Sequence, residues 1–189
     1  QSQPLLKIQK VVINDNGGTK VASDFSFQVN GDAATSFNAN LALNKPAIES
    51  SNYHGLYPAS NCNNGDYSDF CHTDLELGWW QVDLQDTYTI STIKLWNRSS
   101  GWQDRLKNFK IEVSSDGAFT GEQTLVYQAD NQQAGFPSTY TFSPVDGRYV
   151  RLTQLETNYL NFAEMEVYGS SNNVSGENDV TVSAGAYTI

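Results

Sequence analysis

The sequence predicts an all-β protein, an antiparallel β-sandwich accompanied by flanking strands of a second, smaller β-sandwich. Three observations carry this reading. Short stretches of alternating apolar and polar residues recur along the chain, each closed by Gly, Asn, Asp or Ser, the pattern of half-buried strands joined by turns. Helical periodicity is almost absent. A hydrophobic content of 39%, with 9 Phe, 4 Trp and 10 Tyr, is enough to fill a core in a chain of 189 residues.

In chain order, residues 5–13 alternate and 14–18 (Asn-Asp-Asn-Gly-Gly) turn, then 25–29 alternate and 30–32 turn again. The middle of the chain supplies strands at 80–84, 89–96, 109–113, 124–127, 139–142, 149–152 and 163–168, separated by turn-rich text. At the far end, 179–183 and 186–189 again read as short strands around Ala184-Gly185. Function is expected in loops at one end of the sandwich. His72 falls in a loop before Trp79, and Arg98 and Arg105, seven residues apart, bracket a second loop.

Charge and composition exclude several partners. Eleven basic against 21 acidic residues give a net charge of −10, which repels nucleic-acid backbones and anionic membrane surfaces. No apolar run approaches the roughly 20 residues needed to cross a bilayer, so no direct membrane insertion is expected. The start Gln1-Ser-Gln-Pro4 lacks the basic and apolar regions of a signal peptide, which reads as a mature or excised segment. No nucleophile elbow, His-Glu-x-x-His or phosphate-binding glycine loop occurs, and His54 and His72 lack zinc spacing. Glu164 and Glu166 are the only carboxylate pair considered for glycosidase chemistry, and they fall in strand text. The chain is not expected to be an enzyme.

Three groups of residues carry chemistry. His72, Arg98 and Arg105 would supply one imidazole and two planar guanidiniums, donors suited to adjacent hydroxyls of a sugar if they converge. The loop from Asn61 to Asp69 is dense in hard oxygen donors of the kind Ca²⁺ requires; an Asx-rich turn without metal is the alternative. Cys62 and Cys71 flank that loop, and a disulfide closing it would stabilise the fold by about 2 to 3 kcal/mol and imply an oxidising compartment; two free thiols are the alternative. The sequon Asn97-Arg98-Ser99 would place a glycan beside Arg98 if it were modified.

The text around these residues carries a resemblance. Asn40-Leu-Ala-Leu-Asn-Lys-Pro-Ala47, Gly78-Trp-Trp-Gln-Val-Asp-Leu84, Ile93-Lys-Leu-Trp-Asn-Arg98, Leu106-Lys-Asn-Phe-Lys-Ile111, Gly147-Arg-Tyr-Val-Arg-Leu152 and Phe162-Ala-Glu-Met-Glu-Val-Tyr-Gly169 resemble, in order, the blocks of the F-type (fucose-binding) lectins, within the discoidin and coagulation-factor C-domain class. The flanks resemble prealbumin-like repeats of bacterial surface proteins. Together these imply residues 1–39 as the N-terminal part of a split repeat, 40–169 as an F-type lectin domain with a jelly-roll sandwich, and 170–189 as linker and C-terminal part of the repeat.

The resemblance implies that His72, Arg98 and Arg105 bind terminal L-fucose on glycans. Many relatives have a vicinal disulfide between the two arginines, where this chain has Gly101-Trp102, so Trp102 becomes the leading apolar contact, with Tyr53, His54 and Phe70 as weaker candidates. F-type lectins often pair a cysteine beside the histidine with one near the final strand. Phe70 and Ala163 stand there in this chain, so a Cys62 to Cys71 bridge would be a different pairing. By position, the family's structural calcium site falls on Asn61, Asn64, Asp66, Asp69 and Glu164, with Asn64 departing from the usual Asp. The implied setting is an extracellular or cell-surface bacterial adhesin or secreted lectin, with avidity through several copies. A discoidin-like module for galactose, or for protein or lipid adhesion, is the alternative.

Overall fold

The structure, a computed structural model, describes residues 39–171. The expected split-repeat segments at either end therefore lie outside the described residues, except for their innermost few positions. What is described is all-β: β1 (Ala47–Glu49), β2 (Cys71–Glu76), β3 (Trp79–Trp96), β4 (Phe109–Ser114), β5 (Thr124–Gln128), β6 (Ser138–Gln154), β7 (Asn158–Phe162) and β8 (Glu164–Ser171). One sheet has the order β1-β3-β6-β4-β5, with β8 also pairing β3, and β2 and β7 form a separate antiparallel ribbon.

Two long strands organise the sandwich. The predicted strands 80–84 and 89–96 are one strand, β3, and 139–142 and 149–152 are one strand, β6. The text between them reads as turns because it holds Gln85-Asp86 and Pro144-Val145-Asp146-Gly147, yet pairing continues across it through register shifts at Asp83/Tyr88 and Ile90/Thr92. Pro144 falls at the second shift, where no ladder N–H is required of it. That bulge also switches parity. Trp80, Val82, Leu84 and Ile90 are buried at even positions, whereas Ile93 and Leu95 are buried at odd ones, so an extra residue keeps one strand facing the core along its whole length.

The core joins these residues to Phe109, Ile111 and Val113 of β4, Val150 and Leu152 of β6, Phe162 of β7, and Met165 and Val167 of β8. At the end that carries the loops, the fully buried Trp80 meets Phe162 edge-on at 5.4 Å and donates its indole N–H to the Ala59 carbonyl at 2.8 Å. This anchors the 3₁₀ turn Ala59–Asn63, and Cys62 within that turn is disulfide-bonded to Cys71 with Cα atoms 5.4 Å apart. The bridge pins the first residue of β2, one position before His72.

Three strands were not legible in the sequence: β1, β2 and β7. The expected loop position of His72 is corrected accordingly, since it lies on β2, opposite Asn161 of β7. The text Cys71-His72-Thr73 shows no alternation because all three side chains are buried, under the turn on one face and the core on the other.

Replacing Cys62 and Cys71 together by Ala should lower stability by about 2 to 3 kcal/mol, the loop-closure entropy of a bridge spanning nine residues. Urea titration of the variant against the oxidised protein measures it, and an unchanged midpoint would show that Trp80 alone holds the turn.

Candidate functional site

The loops at one end of the sandwich enclose a pocket of about 340 Å³ lined by side chains from four segments. The turn after β1 brings Tyr53 and Tyr57, the start of β2 brings Phe70 and His72, the loop after β3 brings Arg98, Trp102 and Arg105, and β7 brings Tyr159. His72, Arg98 and Arg105 thus converge, as their residue types required.

His72 is 5% exposed. Its Nδ1 lies 2.7 Å from the Thr73 carbonyl, which assigns the proton to Nδ1 and leaves the Nε2 lone pair facing Arg105 Nη1 at 3.3 Å. Burial pushes its pKa below the ordinary value, and the neighbouring Arg105 and Arg98 charges push the same way. The imidazole is an acceptor here, not a third cation.

Neither arginine is paired with a carboxylate among the described residues. Aromatic faces hold them instead. The Arg98 guanidinium stands 3.9 Å over Phe70, and that of Arg105 stands 4.3 Å over Trp102 and 4.6 Å over Tyr159. Burial, and then the Arg105 charge, lower the Arg98 pKa without removing its proton. A ring face satisfies a cation without occupying its in-plane N–H groups, so the donor edges stay available to a ligand.

The backbone that presents the arginines is stapled by Asn97, which is 1% exposed. Its Nδ2 donates to the carbonyls of Gln103 and Ala134 at 2.9 and 2.8 Å, and its Oδ1 accepts from the Arg98 amide at 2.8 Å. The amide of the sequon is thus interior, its nitrogen engaged by two carbonyls, which accords with an unmodified Asn97.

The other expected contacts divide. Phe70 lies in the wall, stacked on Tyr57 at 4.8 Å, and Tyr53 lies 4.6 Å from the His72 ring. Trp102 is at the rim, 61% exposed, with a left-handed backbone at φ 61. His54 packs on Tyr53 at 4.1 Å but is exposed and outside the pocket lining, in a turn whose left-handed φ of 55 carries it away. Tyr57 and Tyr159 complete the wall and were missed. No local pattern marks them, because it is the β2–β7 pairing that brings Tyr159 beside His72, with ring centroids 5.4 Å apart.

The oxygen-rich loop packs on β8. Glu164 is fully buried, and burial, with the nearby Glu166 and Asp69 charges, pushes its carboxyl up to about 7. Its Oε1 accepts from the Gly65 amide at 3.2 Å, while its Oε2 and the Asp69 Oδ1 are buried without a partner. Asn64 Oδ1 accepts from the Asp66 amide at 2.7 Å and its Nδ2 reaches Asp69 at 3.4 Å. Asp66 Oδ1 accepts from the amide and hydroxyl of Ser68, and Asn61 Nδ2 donates to the Phe70 carbonyl at 3.2 Å. No cluster of three or more His, Cys, Asp or Glu forms among the described residues. The donor set fits a hard dication through two orphaned carboxylate oxygens and neutral oxygens around them.

Residues 61–152 match the NedA-like, galactose-binding domain of the F5/F8 type C group. Among named proteins, Fucolectin-3 of Anguilla japonica is 28% identical over 141 residues, covering 68% of this chain and 78% of the relative. Among solved structures, the lectin domain of lectinolysin, complexed with the Lewis B antigen, is 29% identical with a TM-score of 0.61 and covers 70% of this chain and 98% of its own. A fucolectin from Morone saxatilis serum is 30% identical with a TM-score of 0.64, covering 70% of this chain and 49% of its own. Each of these relatives is named as a lectin or a lectin domain.

The electrostatics set a pH dependence. His72 is held below its usual 6.5, so the neutral fold is favoured above that value, and its contribution is lost as pH falls through the depressed pKa, when an imidazolium would face two guanidiniums. The urea midpoint of wild type, compared with His72→Gln over this range, should show a loss on acidification that the variant lacks. Parallel curves would mean that His72 does not titrate differently in the folded state.

Proposed function

We propose that this chain is a carbohydrate-binding module that recognises terminal L-fucose on glycans. The observation that carries the reading is the convergence of Arg98, Arg105 and neutral His72 on a pocket walled by aromatic rings, with no carboxylate paired to either arginine among the described residues. Adjacent sugar hydroxyls accept from the two guanidiniums, and one of them can donate to His72 Nε2 in place of its contact with Arg105. Trp102, Phe70, Tyr53 and Tyr159 offer faces to the C–H surface and the methyl of a deoxy sugar. The fucolectins and the Lewis-B-bound domain among its relatives support the choice of sugar. Galactose is the second reading, favoured by the galactose-binding description of the matched domain.

The loop reading extends this proposal. Asp69 and Glu164 would hold Ca²⁺ by side chain, Asn64 by its amide oxygen, and Asn61 and Asp66 by main-chain oxygens. The support is the pair of buried, partnerless carboxylate oxygens and the burial that resists charge on Glu164. A dication there neutralises the buried carboxylates. The proposed setting is extracellular, in a secreted or cell-surface protein such as a bacterial adhesin, and the Cys62–Cys71 bridge accords with an oxidising compartment. A single shallow sugar site binds weakly, so several copies in a parent protein would provide the avidity.

A glycan array competed separately with free L-fucose and free D-galactose decides between the sugars: fucose should displace binding, and displacement by galactose alone would overturn the assignment. Arg105→Ala should weaken fucose binding by about 10- to 100-fold, the loss expected for hydrogen bonds to a charged donor, while the melting temperature moves by a few degrees at most. Arg98→Lys should also weaken it, because an ammonium lacks the planar fork.

Exhaustive chelation should lower both the melting temperature and the fucose affinity, since the loop runs through the disulfide to His72. An unchanged melting curve would remove calcium from the proposal.

A further inference from the structure

The wall opposite the arginines hangs on one acidic side chain that the sugar reading does not use. Glu49 ends β1, opposite Trp80 of β3. Its Oε1 accepts from Asn52 Nδ2 at 2.8 Å. Its Oε2 is buried and without a partner, and burial pushes the carboxyl up to about 7. Asn52 and Ala59 are the two ends of the segment that carries Tyr53 and Tyr57 into the pocket. Within that segment Asn52 Oδ1 accepts from the Tyr57 amide at 3.4 Å, and the Tyr57 carbonyl accepts from the His72 amide at 3.1 Å.

We propose that Glu49 is a positioning residue of the pocket: its carboxylate clips Asn52, which in turn holds the Tyr57 amide, and thereby keeps Tyr53 and Tyr57 against His72. The clip is needed because the segment has little else. Its own backbone bonds are two short-range contacts, Gly55 to Asn52 and Leu56 to Tyr53, and it places His54 and Gly55 in left-handed conformations at φ 55 and φ 69. Tyr53 and Tyr57 are only half-buried, so packing alone does not fix them. The Trp80 indole fastens the far end at the Ala59 carbonyl, which leaves the near end to Glu49 through Asn52. The nearby Glu76 is occupied by the hydroxyls of Ser50 and Ser51 at 2.6 and 2.5 Å and cannot replace Glu49 in this role.

This inference rests on the pocket's being the sugar site, and its test separates the two ideas. Amide hydrogen exchange over residues 53–59, and affinity for L-fucose, are measured for wild type, Glu49→Ala, Glu49→Gln and Asn52→Ala. Glu49→Ala should speed exchange in the segment by about tenfold and weaken fucose binding by a similar factor, with β2 and β7 unchanged. Glu49→Gln should restore both, because its amide oxygen accepts the same bond from Asn52, and Asn52→Ala should loosen the segment as Glu49→Ala does, without touching β1. Wild-type exchange in Glu49→Ala would overturn the clip, as would a Gln variant as loose as the Ala variant. Faster exchange with unchanged fucose affinity would overturn the positioning role. If wild type binds no fucose, the sugar reading fails and the exchange measurements alone decide the clip.

Discussion

Two guanidiniums held side by side, with no carboxylate between them, are the constraint around which this end of the molecule is built. Like charges at such range repel, and each cation gives up water to be there. The protein offsets this without neutralising either one. Ring faces of Phe70, Trp102 and Tyr159 support the guanidiniums, and the adjacent histidine is kept uncharged by burial and by the cations themselves. A carboxylate would stabilise the arginines better but would consume the donors a polar ligand needs.

Holding that arrangement requires rigid backbone on three sides. Asn97 closes the arginine loop with an interior amide, the disulfide fixes the start of β2, and the Trp80 indole fixes the turn that carries Cys62. The last two meet at the buried contact of Trp80 with Phe162, the residue paired with Cys71, so the core and this side of the pocket share one support. The acidic loop belongs to the same support. Glu164 opens β8 directly after β7, which carries Phe162 and Tyr159, and its buried carboxylate reaches the loop that the disulfide closes. A charge state that loosens this loop would act on His72 through covalent bonds.

The places where sequence reading erred share one cause. Strand alternation reports exposure on one face, so β2, with three consecutive buried residues, looked like a loop. Turn-rich text reports local preference, so the bulges of β3 and β6 looked like strand ends, although pairing with neighbours carried the strands through.

The sequence by itself determined the all-β class, the core positions of the strongly alternating strands, the pairing of the two cysteines, and the residue types able to bind a polar ligand. Those properties follow from local periodicity, short loop closure and side-chain chemistry, which travel with the chain whatever its tertiary arrangement. Only the tertiary structure decided that His72 is a neutral acceptor, that Arg98 and Arg105 rest on rings and not on carboxylates, and that Tyr57 and Tyr159 line the pocket while His54 does not. Each of these depends on desolvation or on contact between segments far apart in sequence, and neither can be read from neighbours along the chain.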